Sequence, residues 1–337
     1  MVTPMESAYP STAAPLPTEM VPREATSQVR EETAAPAPQP SHEIGSWVLP
    51  GALGLTLALL AAVVVLLVRS RRKAPPSEES TVTLPKEETG GRLTVACWQH
   101  IGGRSTQQDS FVCTDPEAYP ARGLLAAVAD GMGGLSNGKA VSEALVRSLE
   151  EGFSRSDPKM NGADLLLEMA AILNAQINQM LRGQAQSGST LAAVVLRDGM
   201  LHFFSVGDSR IYLYRGGGLI QLNREHIFQE FLAVRALNRE LAVRQIRTDR
   251  QAHALSSYFG IGRIPALDRN DEGIRLRSGD KILIASDGVF GVLTVSQMER
   301  ALCAAPEAAV AALGARIAEA NLPQQDNSTA LVLEYRE

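Results

Sequence analysis

Cysteine is scarce in this chain, with three in 337 residues and no CxxC pair among them. An odd count without metal-ligand spacing excludes a disulfide framework and a zinc ribbon. Cys97, Cys113 and Cys303 fall in or beside apolar runs and read as reduced core residues. Aromatic residues make up only 5% of the chain, so the core must be largely aliphatic. There is no basic excess either. The net charge of -5 gives no sign of a polyanionic partner, and no nucleic acid is expected. Internal repeats are also lacking, which excludes a stacked-repeat architecture.

Charge is missing from Trp47 to Val68, 22 residues in a row. At about 1.5 Å rise per residue that is enough to cross a hydrocarbon core of roughly 30 Å. A transmembrane helix is therefore expected over residues 46–69. The segment lacks a basic stretch before it and ends in Arg69-Ser-Arg-Arg-Lys73 rather than in small residues, unlike a cleaved signal peptide. That basic cluster follows an acidic N-terminal stretch, which orients the C-terminal side to the cytoplasm and the N-terminus outside the cell membrane. Residues 1–45, rich in Pro, Ala, Ser, Thr and Glu, lack apolar periodicity and read as a disordered outer tail. Residues 70–91, with Pro75-Pro76 and Gly90-Gly91, read as a basic anchor and flexible linker to a domain over 92–337.

Within that domain, strand-like runs alternate with helical periodicity. Strands are predicted at Leu93–Trp98, Gly123–Ala129, Leu191–Leu196, Leu201–Val206, Ile211–Tyr214, Lys281–Ala285 and Thr329–Tyr335. One helix is predicted to bury Ala140, Ala144, Leu145 and Leu149, and the next Leu165, Met169, Ile172, Leu173, Met180 and Leu181. Two more helices are expected over 296–304 and 306–321. The stretch from Ile227 to Ser257 reads as helical and amphipathic, with five arginines between Arg235 and Arg250, most simply a solvated face. Short turns at Asp198-Gly199 and Arg215-Gly-Gly-Gly218 imply antiparallel pairing, not a doubly wound parallel sheet.

Five aspartates punctuate this domain where apolar runs meet turns: Asp109, Asp130, Asp208, Asp287 and Asp326. Alone, an Asp-Gly is usually a turn. Together they suit hard divalent cations, which want oxygen ligands and retain several waters, so a few carboxylates on rigid strand ends suffice. The contexts are Arg104-Ser-Thr-Gln-Gln-Asp109-Ser110, Val128-Ala-Asp130-Gly-Met-Gly-Gly134, Val206-Gly-Asp208-Ser-Arg210, Ile284-Ala-Ser-Asp287-Gly288 and Gln325-Asp326-Asn-Ser-Thr329. In order and spacing this series resembles the metal-dependent PPM family, the protein phosphatase 2C type, from about Leu93 to the C-terminus.

The resemblance implies an α+β fold, a four-layer α-β-β-α sandwich of two mainly antiparallel sheets flanked by helices, here preceded by a single transmembrane helix. It implies two Mn2+ or Mg2+ ions, with Asp130 bridging, the Gly131 carbonyl completing one shell, and Asp287 and Asp326 on the other ion. Asp208 matches a third, weaker site. Gly131 is expected to let the chain turn. Arg104, with its planar fork, is the expected phosphate clamp, and Asp109 is expected to act from outside the ligand shell. The implied reaction is metal-assisted hydrolysis of phosphoserine or phosphothreonine by an activated water. Phosphorylated proteins would be the substrates, opposed by a cognate Ser/Thr kinase.

Met132 departs from the eukaryotic pattern, which has a histidine at that position to protonate the leaving alcohol. Methionine cannot donate a proton, and bacterial members commonly carry it. His226 fits the family's segment after the Gly-Asp-Ser-Arg strand pair and reads as a structural histidine; His100 and His253 receive no role. Two rival readings remain: a catalytically inactive scaffold of the same fold, and a receptor whose outer tail is the working part.

Overall fold

In a strand, side chains alternate between faces, so a strand apolar on both faces needs a layer on each side. That is the case for Leu124–Ala129, whose residues are all buried. Leu124, Ala126 and Val128 face a second sheet, while Leu125, Ala127 and Ala129 face helices. The computed structural model describes residues 93–133, 137–182 and 187–337.

One sheet runs in the order β1 (Leu93–His100), β12 (Ser328–Tyr335), β11 (Lys281–Ala285), β7 (Arg210–Arg215) and β8 (Gly218–Gln221). The other runs β10 (Ile274–Arg275), β6 (Met200–Val206), β5 (Leu191–Arg197), β3 (Leu124–Met132) and β2 (Asp109–Cys113). Two short strands join it: β4 (Gly188–Ser189) on β3 and β9 (Asp268–Arg269) on β6. All these pairs are antiparallel. At the two predicted hairpins Asp198 and Gly199 take φ of 49° and 70°, and Gly216 and Gly217 take 61° and 87°. Those left-handed pairs match the twist of the flanking strands.

Besides a short helical turn at residues 116–122, the described helices are α1 (Asn137–Arg155), α2 (Gly162–Met180), α3 (Phe228–Leu237), α4 (Val243–Thr248), α5 (Asp287–Phe290), α6 (Val295–Leu302) and α7 (Pro306–Ala320). The first two cover the β3–β5 sheet and the last two cover the β11–β12 sheet, giving the expected four layers. Local signals set their starts. Asn161 Oδ1 accepts from Ala163 N at 2.8 Å, and Thr294 with Gln297 forms a reciprocal capping box.

Several expectations need correction. On α1 the buried stripe is Val141, Leu145, Leu149 and Phe153, one residue round from Ala140, which is exposed. On α2, Ile172 and Met180 are exposed, and Leu166 and Ile177 fill the core instead. Cys303 is exposed rather than buried. The stretch from Ile227 to Ser257 is not one amphipathic helix. It breaks after Leu237, Arg239 takes φ 63°, and Leu232 is the buried residue of α3 while Phe231 and Val234 are exposed. Among the described residues no helix is long and apolar enough to cross a membrane. The predicted span at 46–69, the tail and the linker lie outside the described residues.

Candidate metal centre

At one end of the sandwich the apolar alternation between the sheets gives way to polar side chains in the same register. Leu124, Ala126 and Val128 lead to Asp130, and Ile282 and Ile284 lead to Ser286, followed by Asp287 at the first position of α5. Leu333 and Leu331 lead back to Thr329, and Val194 and Ala192 to Thr190. The five predicted aspartates gather here. Asp130, Asp208, Asp287 and Asp326 line one cleft of about 310 Å³ together with Arg104, Gly131, Met132 and His253. Asp109 lies behind them, opposite Asp130 in the β2–β3 register.

Asp109 is buried, and both Ser286 Oγ and Thr329 Oγ1 donate to its Oδ2 at 2.7 Å. Its Oδ1 is buried without a partner, as is Oδ1 of Asp287. Burial raises the carboxyl of Asp109 to about 7; the two hydroxyls pull it down, and Asp287 and Asp326 push it up. Asp208 is also raised to about 7, by burial first and Asp287 second. Asp130 is pushed well above the carboxylate range by burial and then by Asp109, Asp287, Asp208 and Asp326. Asp287 rises for the same reasons, with Asp326 its main repelling neighbour. Desolvation and like charge both disfavour the ionised form.

The main chain holds the cluster tightly. Thr190 Oγ1 accepts from Asp130 N at 3.1 Å, and Ser189 Oγ donates to Asp130 O at 2.8 Å. Asn327 bridges the Asp326 turn to the β1–β2 loop, its Oδ1 accepting from Gln108 N and its Nδ2 donating to Ile101 O, both at 2.8 Å. Gly131 does not turn the chain as expected: it lies within β3, paired with Ser189. It is required by close approach, because a Cβ there would sit 2.4 Å from Gly138 O. Among the described residues of this loop, Gly133 has the left-handed backbone, at φ 125°.

Arg104 stands at the mouth of the cleft and donates from Nη2 to Asp326 Oδ2 at 2.5 Å. On the other side, Gly207 N donates to His226 Nδ1 at 3.1 Å and His226 N donates to Gly207 O at 2.8 Å. The buried imidazole, its pKa lowered by desolvation, therefore pins the turn that carries Asp208, as the structural reading of His226 anticipates. Arg210 stacks on Phe290 of α5 at 3.8 Å and pairs with Glu225 at 2.8 Å, tying the Asp208 and Asp287 segments together.

These residues fit hard divalent cations. The donors are all oxygen, two carboxylate oxygens are buried without partners, and the cluster's mutual repulsion is what a cation would relieve. Among the described residues no three His, Cys, Asp or Glu side chains close on one point. An ion of the Mg2+ type needs no such cage, since it takes one or two carboxylates and completes its shell with other oxygens. The sequence reading missed Ser286, Thr329, Thr190 and Asn327. The first three had a signal: each is a hydroxyl on the inter-sheet side of an otherwise apolar strand.

The sequence model of the family Protein phosphatase 2C matches residues 98–325. "Protein phosphatase PhpP" of Streptococcus pneumoniae is 29% identical over 215 residues, 61% of this chain and 82% of its own length. The Ser-Thr phosphatase MsPP of Mycobacterium smegmatis, solved in complex with cacodylate, is 28% identical with a TM-score of 0.59, covering 74% of this chain and 100% of its own. The catalytic domain of the phosphatase PstP, solved with 2 manganese ions, superposes with a TM-score of 0.57 over 73% of this chain and 99% of its own. At 24% identity that last likeness speaks for the fold. A match over most of the chain, on the fold just described, places this protein in the protein phosphatase 2C family of phosphoprotein phosphatases.

Proposed function

We propose that this phosphatase is Mn2+- or Mg2+-dependent, acts on phosphoserine and phosphothreonine of protein substrates, and is anchored in the cell membrane by residues 46–69 with its catalytic domain in the cytoplasm. The observation that carries the catalytic part is the convergence of four carboxylates on one cleft, with Asp109 behind them and Arg104 at its mouth. In this reading Asp130, the Gly131 carbonyl, Asp287 and Asp326 hold two cations, and Asp208 a third. When bound, the cations supply charge stabilisation for phosphoryl oxygens and a more acidic water.

The chain's own residues do the rest. Asp109, fixed through Oδ2 by Ser286 and Thr329, presents its free Oδ1 to orient a water and take up its proton. Arg104 swings its guanidinium from Asp326 to the phosphate, gripping two oxygens and offsetting their charge. Buried Thr190 and Ser189 keep the Asp130 main chain from yielding as charge shifts in the cleft. Relatives named as Ser/Thr phosphatases support the substrate class, and a cognate Ser/Thr kinase would supply the phosphorylated proteins. The uncharged run at Trp47–Val68 and the basic cluster after it support the anchor and its orientation.

The test is phosphate release from a phosphothreonine peptide by the full chain with Mn2+, with Mg2+ and with chelator, beside Asp130→Asn and Asp287→Asn. Metal-dependent turnover lost in both variants is expected. A folded protein that binds Mn2+ yet releases no phosphate from several peptides would favour the scaffold reading instead. Release of the chain from membranes by alkaline carbonate would overturn the anchor.

A further inference from the structure

A seryl or threonyl alkoxide is a strong base and leaves phosphorus readily only when protonated as the bond breaks, yet Met132, at the position where a donor could stand, cannot give a proton. The cleft itself contains few alternatives. Its carboxylates are committed to cations in the reading above, on which this inference rests. Arg104 is taken up by the phosphate in that reading, and Gln108, Thr190 and Asn327 offer only neutral amide or hydroxyl groups. One lining side chain outside the carboxylate cluster carries a ring N–H that can be handed to an oxygen, and that is His253.

We propose that His253 is the general acid that protonates the leaving alcohol. It is exposed and lines the cleft, but its backbone is tethered on both sides. Gln229 N donates to Ala252 O and Phe228 N to Ala254 O, both at 2.8 Å, and Ala252 is buried. Two residues on, Leu255 also lines the cleft and bridges to Ile227, and Ser256 N donates to His226 O at 2.8 Å. The imidazole thus stands on a ledge fixed to the start of α3 and to the histidine that pins Asp208. The other described histidines are occupied elsewhere. His226 accepts from Gly207, His100 Nδ1 accepts from Gly102 N at 3.0 Å, and His202 is buried between Gly162 and Gly273.

In the step assigned to it, the oxygen of water bonds to phosphorus while the bond from phosphorus to the seryl or threonyl oxygen breaks. The imidazolium of His253 gives its proton to that departing oxygen, yielding the free alcohol. The proton lost by the attacking water passes to the cleft and solvent and recharges the imidazole, so atoms and charge balance without a further reactant.

Leaving-group dependence tests this. Full-length protein in detergent with Mn2+ would be assayed on a phosphothreonine peptide and on p-nitrophenyl phosphate, whose nitrophenolate leaves without a proton. His253→Gln should lower kcat on the peptide by about 100-fold or more while kcat on the nitrophenyl ester stays within about threefold of wild type. Equal losses on both substrates would make His253 a positioning residue, and no loss on either would remove it from the reaction; each overturns the proposal. A wild-type chain that turns over neither ester would defeat the phosphatase reading itself, and the donor with it.

Discussion

Asp109 and Asp130 face each other directly across the antiparallel β2–β3 pair. Like charges at directly opposed positions oppose strand pairing, and here Asp109 is buried and Asp130 half-buried, with Asp287 close to both. The fold therefore stabilises an arrangement that electrostatics resists. Hydroxyls from Ser286 and Thr329, and tight backbone bonds around Asp130, hold the carboxyls in place. Carboxyls perturbed by desolvation and by one another, gathered at a cleft, are what a functional site requires.

Without cations this repulsion should show in the pH dependence of stability. Asp109 and Asp208 rise from an ordinary 3.8 to about 7 in the fold. Raised carboxyl groups favour the folded state while protonated and disfavour it once ionised. The chelated protein is thus expected to lose stability as pH rises from 4 toward 7. Mn2+ should reverse that trend and release protons on binding, because ligands must deprotonate. Thermal melts in chelator from pH 4 to 8 decide it. A melting temperature that climbs through this window would refute the repulsion argument.

Removing the hydroxyls that hold Asp109 should disable the site more than the fold. Ser286→Ala or Thr329→Ala deletes one of two bonds to a buried carboxyl, at about 1–3 kcal/mol each. Each hydroxyl makes one further bond, Ser286 Oγ accepting from Thr329 N at 2.9 Å and Thr329 Oγ1 from Gln99 Nε2 at 3.1 Å, so the two changes are expected to cost about the same. With Asp109 free to rotate, kcat should fall roughly 10- to 100-fold with little change in KM. Unchanged kcat in the doubly substituted chain would show that Asp109 has no role in the reaction.

Gly131 and Gly288 admit no side chain. A Cβ at Gly131 would meet Gly138 O at 2.4 Å, and one at Gly288 would meet Asn327 O at 2.0 Å. Both contacts are with backbone, which cannot swing aside, so Gly131→Ala and Gly288→Ala should each cost about 2–4 kcal/mol in urea unfolding. Gly138→Ala, whose nearest atoms lie at 3.0 Å, should cost less. Equal stability of all three variants would contradict the packing.

Much of this was legible in the sequence because strand periodicity and aspartate punctuation both act locally. Val128-Ala-Asp130 reads as a strand reaching a polar end, and the structure continues β3 to Met132. What escaped depends on contacts between distant segments. Thr329 and Ser286 look like ordinary strand hydroxyls until pairing of β11 with β12 sets them on Asp109. Gly131 looks like a turn glycine until α1 brings Gly138 against it. The helix faces shifted where a one-residue rotation exchanges two apolar residues, as with Ala140 and Val141, and the sequence offers nothing to separate them. Strands of two residues, β9 and β10, carry no periodicity at all.

Arg104 offers the sharpest separation of catalysis from stability. Its ion pair with Asp326 is short, at 2.5 Å, but the two side chains are 56% and 40% exposed. Solvent screens such a pair, and exposed pairs contribute about 0–1 kcal/mol. Arg104→Ala should therefore leave the unfolding midpoint almost unmoved. Its effect should appear in catalysis, because the same fork that holds one carboxylate can hold two phosphoryl oxygens. A loss of roughly 10- to 1000-fold in kcat/KM on a phosphothreonine peptide is expected, borne largely by KM if the grip is equal in ground and transition states. Arg104→Lys keeps the charge but not the fork, so it should recover little of that loss. Full recovery with lysine would mean that Arg104 contributes only charge, and an unchanged kcat/KM in the alanine variant would leave it as an ordinary surface arginine.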